Sequence, residues 1–327
     1  MKFRYYASFL LMVSAIFNIT SCTSESIPEK NSELTSDVST LIQLESMNDL
    51  ALHVADVYVN FLETLKNYDP KDSIYSLPNQ PYFEVEIEGV VVRIKNKERN
   101  KHPRDIFIDF GTNGVSLRCG NLFKGQVNVH ETAAMTDSNA TRTYKFTKFS
   151  INDHQLKGRN TVTFLGQNSD LKPRWKIITK DTLSFQDGRT HYWNADRTRT
   201  CIYSQSKNTP TDLDENAIDS IRFNTTEDIQ NKTKVKSMML WDNLYSVYGI
   251  SNGINTKGKT YSTRILESHP LKIGMGFPYY ISGQNLIKEG KDLLLMDFGD
   301  QKEDYWVTAT LHGVSMDYNI LEQFGTF

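Results

Sequence analysis

A mainly β fold, a large antiparallel sheet or sandwich preceded by one N-terminal amphipathic helix, is what the sequence predicts. Three observations carry that expectation. Phe83, Val85 and Ile87 alternate with Glu84, Glu86 and Glu88, and Val90, Val92 and Ile94 resume the pattern beyond Gly89, as in half-buried strands. Turn dipeptides separate the apolar runs: Asn113-Gly114, Lys157-Gly158, Asp187-Gly188, Asn252-Gly253, Lys257-Gly258 and His312-Gly313. Glycine takes positive φ without steric penalty, so such pairs read as tight hairpin turns and the sheet as antiparallel. Before them, Met47, Leu50, Ala51, Val54, Val57, Tyr58, Phe61, Leu62 and Leu65 recur at helical spacing.

Taken from its start, the chain opens with an address. Lys2 and Arg4 precede an apolar run from Tyr5 to Phe17 and then Ile19-Thr20-Ser21-Cys22. A charged segment, an apolar segment and small residues, in that order, make a secretory signal peptide over residues 1–21. The apolar run is too short for a stable membrane-spanning helix. Residues 22–40, rich in Ser, Thr, Glu, Lys and Asn, read as a tether, and 41–66 as the amphipathic helix, its apolar face turned to the sheet.

Residues 81–327 form the β-rich domain. Its first half has strand-like runs at Ile106 to Phe110, Gln126 to His130, Thr143 to Phe149, Thr161 to Leu165, Trp175 to Ile178, Leu183 to Phe185 and Thr190 to Trp193. The polar stretch 209–219, with Pro210, is the expected long loop, and there one lobe or two is left open. Further runs follow at Ser237 to Leu240, Tyr245 to Ile250, Thr260 to Leu266, Leu293 to Phe298, Tyr305 to Leu311 and Val314 to Ile320. Asp109-Phe110-Gly111 and Asp297-Phe298-Gly299 each close an apolar run and hint at an internal duplication.

Several stretches together resemble a set of uncharacterised lipoproteins of Bacteroidota. They are Ile19-Thr20-Ser21-Cys22, which is similar to a lipobox; Ile108-Asp109-Phe110-Gly111 followed by Cys119-Gly120 and Lys124-Gly125-Gln126-Val127; Tyr245-Ser246-Val247-Tyr248-Gly249; and Met296-Asp297-Phe298-Gly299-Asp300. The resemblance implies an all-β body and a lipid on Cys22, which anchors the chain to a membrane through buried acyl chains. It also implies an outer-membrane lipoprotein, on the periplasmic face or the cell surface, and it supplies no activity. The chain departs from the family in having Gly120-Asn121 after the first Cys, and Gln301-Lys302-Glu303-Asp304 where a second Cys-Asp is usual. Cys119 and Cys201 therefore stand either as a disulfide or as two separate buried thiols.

Residue patterns that commit a chain to a reaction are not found. Asp-Phe-Gly evokes a kinase magnesium site, but no glycine-rich phosphate loop or His-Arg-Asp loop accompanies it. Asp297, Asp300, Glu303 and Asp304 lack the spacing of a calcium loop. The seven His residues are dispersed, and no Ser sits in a Gly-x-Ser-x-Gly elbow. No metal, cofactor or catalytic residue is expected. Loss of residues 1–21 removes Lys2 and Arg4 and no acid, taking the formal charge from −2 to −4, which disfavours nucleic acid.

The expected function is a non-enzymatic, membrane-anchored binding or scaffolding module with a glycan or an envelope protein as partner. A glycan-binding module at the cell surface and a hydrolase are the alternatives. Aromatic residues carry the binding expectation, because exposed rings stack on sugars or anchor proteins. Trp193, beside Tyr192 and just beyond the Asp187-Gly188 turn, is the foremost exposed candidate, with Trp306 as its companion.

Overall fold

In the computed structural model the described residues are 29–68, 83–95, 101–117, 120–203, 221–223, 244–274, 280–300 and 306–319. One helix, α1 (Glu29–Tyr68), precedes a sheet built from seventeen described strands. These are β1 (Phe83–Ile87), β2 (Val90–Ile94), β3 (Arg104–Asp109), β4 (Val115–Ser116), β5 (Leu122–Glu131), β6 (Thr141–Ile151), β7 (His154–Gln167), β8 (Pro173–Ser184) and β9 (Thr190–Tyr203) in the first half. The second half holds β10 (Ile221–Phe223), β11 (Leu244–Ile254), β12 (Thr260–Ile265), β13 (Leu271–Gly274), β14 (Tyr280–Glu289), β15 (Asp292–Asp300), β16 (Trp306–Leu311) and β17 (Val314–Asn319).

Every strand pairing is antiparallel, and neighbours in the sheet are mostly neighbours in sequence. The chain divides into two compact units, Met1–Ser36 and Asp37–Phe327. Across the stretch 209–219 β9 pairs directly with β11 over most of their length, from Leu244 opposite Tyr203 to Ile254 opposite Tyr192. Residues 209–219 themselves, and the run 237–240, lie outside the described residues. So do Cys22 and Cys119; Cys201 is buried on β9.

The helix departs from expectation in two ways. It starts at Glu29, inside the stretch read as tether, because residues 29–40 contain no Gly or Pro to interrupt a helix once Pro28 is passed. It is also buried more widely than a single apolar stripe. From Thr40 to Asn48 every side chain is buried, and Ala51 to Ala55 likewise. Asp49, Leu50, Asp56, Val57 and Asn60 are only half-buried and fall on one face, and α1 side chains meet strands β6, β7, β9 and β14.

Two turn dipeptides prove to be strand interior. Gly158 lies within β7 at φ +143°, where an added Cβ would stand 2.1 Å from Asp181 Oδ1 and 2.2 Å from the Lys180 carbonyl oxygen. Gly253 lies within β11, where a Cβ would stand 2.0 Å from the Tyr192 carbonyl oxygen. Both glycines permit close backbone approach rather than chain reversal. The actual β6–β7 turn is Asn152-Asp153, both residues at positive φ. The other dipeptides do turn the chain, as at Gly188, whose N–H donates to the Phe185 carbonyl at 3.0 Å. The two Asp-Phe-Gly runs share one local device: Gly111 N–H donates to Asp109 Oδ1 and Gly299 N–H to Asp297 Oδ1, each at 2.9 Å. Phe110 and Phe298 point into the core.

Candidate functional site

Inside the sheet, polar groups of α1 meet polar groups of the strands, and this buried seam is the candidate site. Glu45, Asp49, His53 and Asp56 follow one another at steps of four, four and three residues, the spacing of one side of a helix. On the facing strand, alternation sends His191, Trp193, Ala195, Arg197 and Arg199 inward while Tyr192, Asn194 and Asp196 face out.

The first cluster gathers around Arg197. Its guanidinium is paired with Glu45 and donates to the Tyr280 hydroxyl at 3.1 Å; Tyr280 in turn donates to Asp49 Oδ2 at 3.0 Å. The Arg197 guanidinium carbon stands 5.0 Å from the Trp193 ring centre, a cation–π contact. Burial lifts both Glu45 and Asp49 above the ordinary carboxylate range, and the Arg197 charge pulls each back down. Burial likewise opposes the Arg197 charge, but Glu45, Tyr280 and Asp49 outweigh it.

A second cluster closes the other end of the seam. Asp56 takes a hydrogen bond from Arg142 at 2.5 Å and another from the Tyr144 hydroxyl, and Arg199 stands 3.8 Å away. Arg142 also donates from Nε to Glu131 Oε1 at 2.6 Å, and Arg104 donates to Glu131 Oε2 at 2.5 Å. Arg104, Glu131 and Arg142 are all buried, so each charge is paired where water does not reach. Beside Asp56, His53 is driven down to about 4 by burial.

Between the clusters lies an amide and carboxyl relay. Asn160 donates through Nδ2 to Asn48 Oδ1 at 3.0 Å and to Asp181 Oδ2 at 2.8 Å, and accepts at Oδ1 from the Thr179 hydroxyl at 2.6 Å. With no cation beside it, Asp181 is raised by burial to about 7. His191, its Nε2 2.8 Å from the Tyr261 hydroxyl, is pushed down by burial to about 4 and stays neutral.

The sequence candidates fall elsewhere. Trp193 is 1% exposed, not a surface ring, because the register of β9 turns it toward Arg197. Tyr192 (48%) and Trp306 (52%) are exposed, on β9 and β16, five strand steps apart through β11, β12, β14 and β15. Glu45, Asp49, Asp56, Arg142 and Arg197 were not singled out in sequence. The helical spacing of the three acids was the available signal, but charges usually face water. Among the described residues no group of three His, Cys, Asp or Glu is placed to share a metal ion. No family model, curated protein or solved structure matches the chain.

Proposed function

We propose that the chain is a membrane-anchored envelope lipoprotein whose sheet and helix form a non-enzymatic binding or scaffolding module. The observation that carries this reading is the seam: Glu45, Asp49 and Asp56 of the helix are engaged by Arg197, Tyr280, Arg142 and Tyr144 of the strands. Groups that general acid–base chemistry needs within reach of a substrate are here spent on holding the helix in register. Anchoring is supported by the order Lys2, Arg4, apolar run, Ile19-Thr20-Ser21-Cys22.

A glycan-binding reading keeps Tyr192, with Ile254 opposite it on the neighbouring strand, and Trp306, but loses Trp193 from its surface. The anchored module is therefore the stronger reading. Its test is fractionation of cells fed a labelled fatty acid. The chain takes up label and sediments with membranes, whereas Cys22→Ala stays unlabelled and leaves the membrane fraction. Membrane sedimentation of an unlabelled chain would overturn the lipid anchor.

A further inference from the structure

We propose that the sheet face turned away from α1 binds an acidic polysaccharide, a sugar chain bearing carboxylates or sulfates, along a line of exposed side chains that crosses β6, β7, β8, β9, β11 and β12. The inference rests on the reading of the chain as a binding module and names the class of ligand.

Register builds the line. Lys145 stands opposite Arg159, Arg159 opposite Lys180, Lys180 opposite Asn194, Asn194 opposite Asn252 and Asn252 opposite Ser262. All of these side chains are exposed. Their chain neighbours Tyr144, Asn160 and Asp181 turn inward, Tyr144 to Asp56 and Asn160 to Asn48 and Asp181. Alternation therefore sends Lys145, Arg159 and Lys180 to the opposite face. With neighbouring strands about 4.8 Å apart, the line runs roughly 24 Å from Lys145 to Ser262.

Charge along these strands is one-sided. The chain as a whole carries −2, yet β6, β7 and β8 hold eight Lys or Arg and a single acid, Asp181, which is buried. Lys176 is paired with Asp196, but among the described residues Lys145, Arg159 and Lys180 meet no carboxylate. Like charges directly opposite one another on neighbouring strands repel and weaken a sheet. An anion laid along them turns that repulsion into charge-assisted hydrogen bonds. Beyond Lys180 the line continues in amides and a hydroxyl. On the same face Tyr192 lies opposite Ile254, two residues along from Asn194 and Asn252, and both side chains are exposed. Amides and hydroxyls exchange hydrogen bonds with sugar hydroxyls, and an exposed ring stacks on a sugar face. Cations alone serve a bilayer surface, whereas neutral hydrogen-bonding groups continuing the line favour a sugar chain.

Binding of the full-length, detergent-solubilised chain to immobilised polymers tests the proposal. Polygalacturonate and dextran sulfate are the acidic polysaccharides, dextran the neutral one and polyphosphate the sugar-free anion. The expected result is retention on an acidic polysaccharide in preference to dextran and polyphosphate. Lys145→Gln, Arg159→Gln and Lys180→Gln, combined in one chain, weaken that binding by about tenfold or more. They leave the melting temperature unchanged or raised, since the repulsion is gone. Lys95→Gln, Lys257→Gln and Lys291→Gln remove the same charge from exposed positions outside β6, β7 and β8, and that chain is still retained. Asn194→Ala with Asn252→Ala weakens binding to the acidic polysaccharide and not to polyphosphate. No retention on either acidic polysaccharide, equal loss in both charge variants, or a lower melting temperature in the first would overturn the proposal. Equal or tighter binding to polyphosphate, or to phosphatidylglycerol vesicles in a sedimentation assay, would overturn it as well, by making the face a general anion or membrane contact. Retention on dextran alone would keep the binding module and remove this ligand class. The Cys22→Ala fractionation reads the anchor independently, so each failure is distinct.

Discussion

Asp181 shows how a single buried acid shapes this fold. It sits inside the sheet on Asn160 with no cation beside it, and burial lifts it to about 7. A raised carboxyl contributes stability that is complete below its unfolded value near 3.8 and is lost as pH rises through 7. The shift corresponds to roughly 4 kcal/mol between the two limits. The folded chain is thus expected to weaken in denaturant titrations as pH rises from about 4 to about 7, while Asp181→Asn, which cannot ionise, holds a flatter profile across that range. His191 works with the opposite sign. Held near 4 by burial against an ordinary 6.5, it contributes stability above 6.5 that disappears as pH falls through 4. His191→Gln should therefore flatten the acid limb, by roughly 3 kcal/mol at most, as followed by acid titration of unfolding.

Elements are set by where side chains can and cannot fit. Gly158 lets β7 and β8 approach at the point where Asp181 folds across the strand, and the space for a side chain is already taken by Asp181 Oδ1 and the Lys180 carbonyl oxygen. Gly158→Ala should lower unfolding free energy by about 1–3 kcal/mol, measured by urea denaturation, although alanine is otherwise benign in a strand. In sequence the Lys157-Gly158 pair reads as a turn, because a dipeptide cannot distinguish chain reversal from close backbone approach. Strands with clean alternation, such as β1 and β2, are legible because the period of two maps directly onto buried and outward faces, whereas β9 reads only from Thr190 to Trp193 and with its inward face taken as outward. β14 was missed: Gly283, at φ +105° beside a register shift, breaks the alternation between Ser282 and Asn285. The helix is legible over 41–66 but not its start at Glu29, since Ser- and Thr-rich residues extend a helix that burial further along stabilises.

At the scale of the molecule, strands of one sheet join the helix through charges rather than through an apolar stripe alone. The β class could be read from the sequence, and the seam could not. Its acids lie at helical spacing and its arginines at strand spacing, in stretches more than 85 residues apart, as Asp56 and Arg142 show. Each pattern alone looks like a solvated face, and only the packing of the helix on the strands brings them together. The most direct measurement of this account is hydrogen exchange along α1 in the full-length chain. If the seam holds the helix to the strands, amides from Leu44 to Asp56 exchange as slowly as those of β7, β8 and β9 and open only with global unfolding. Exchange at the rate of a surface helix, with the strands still protected, would contradict it.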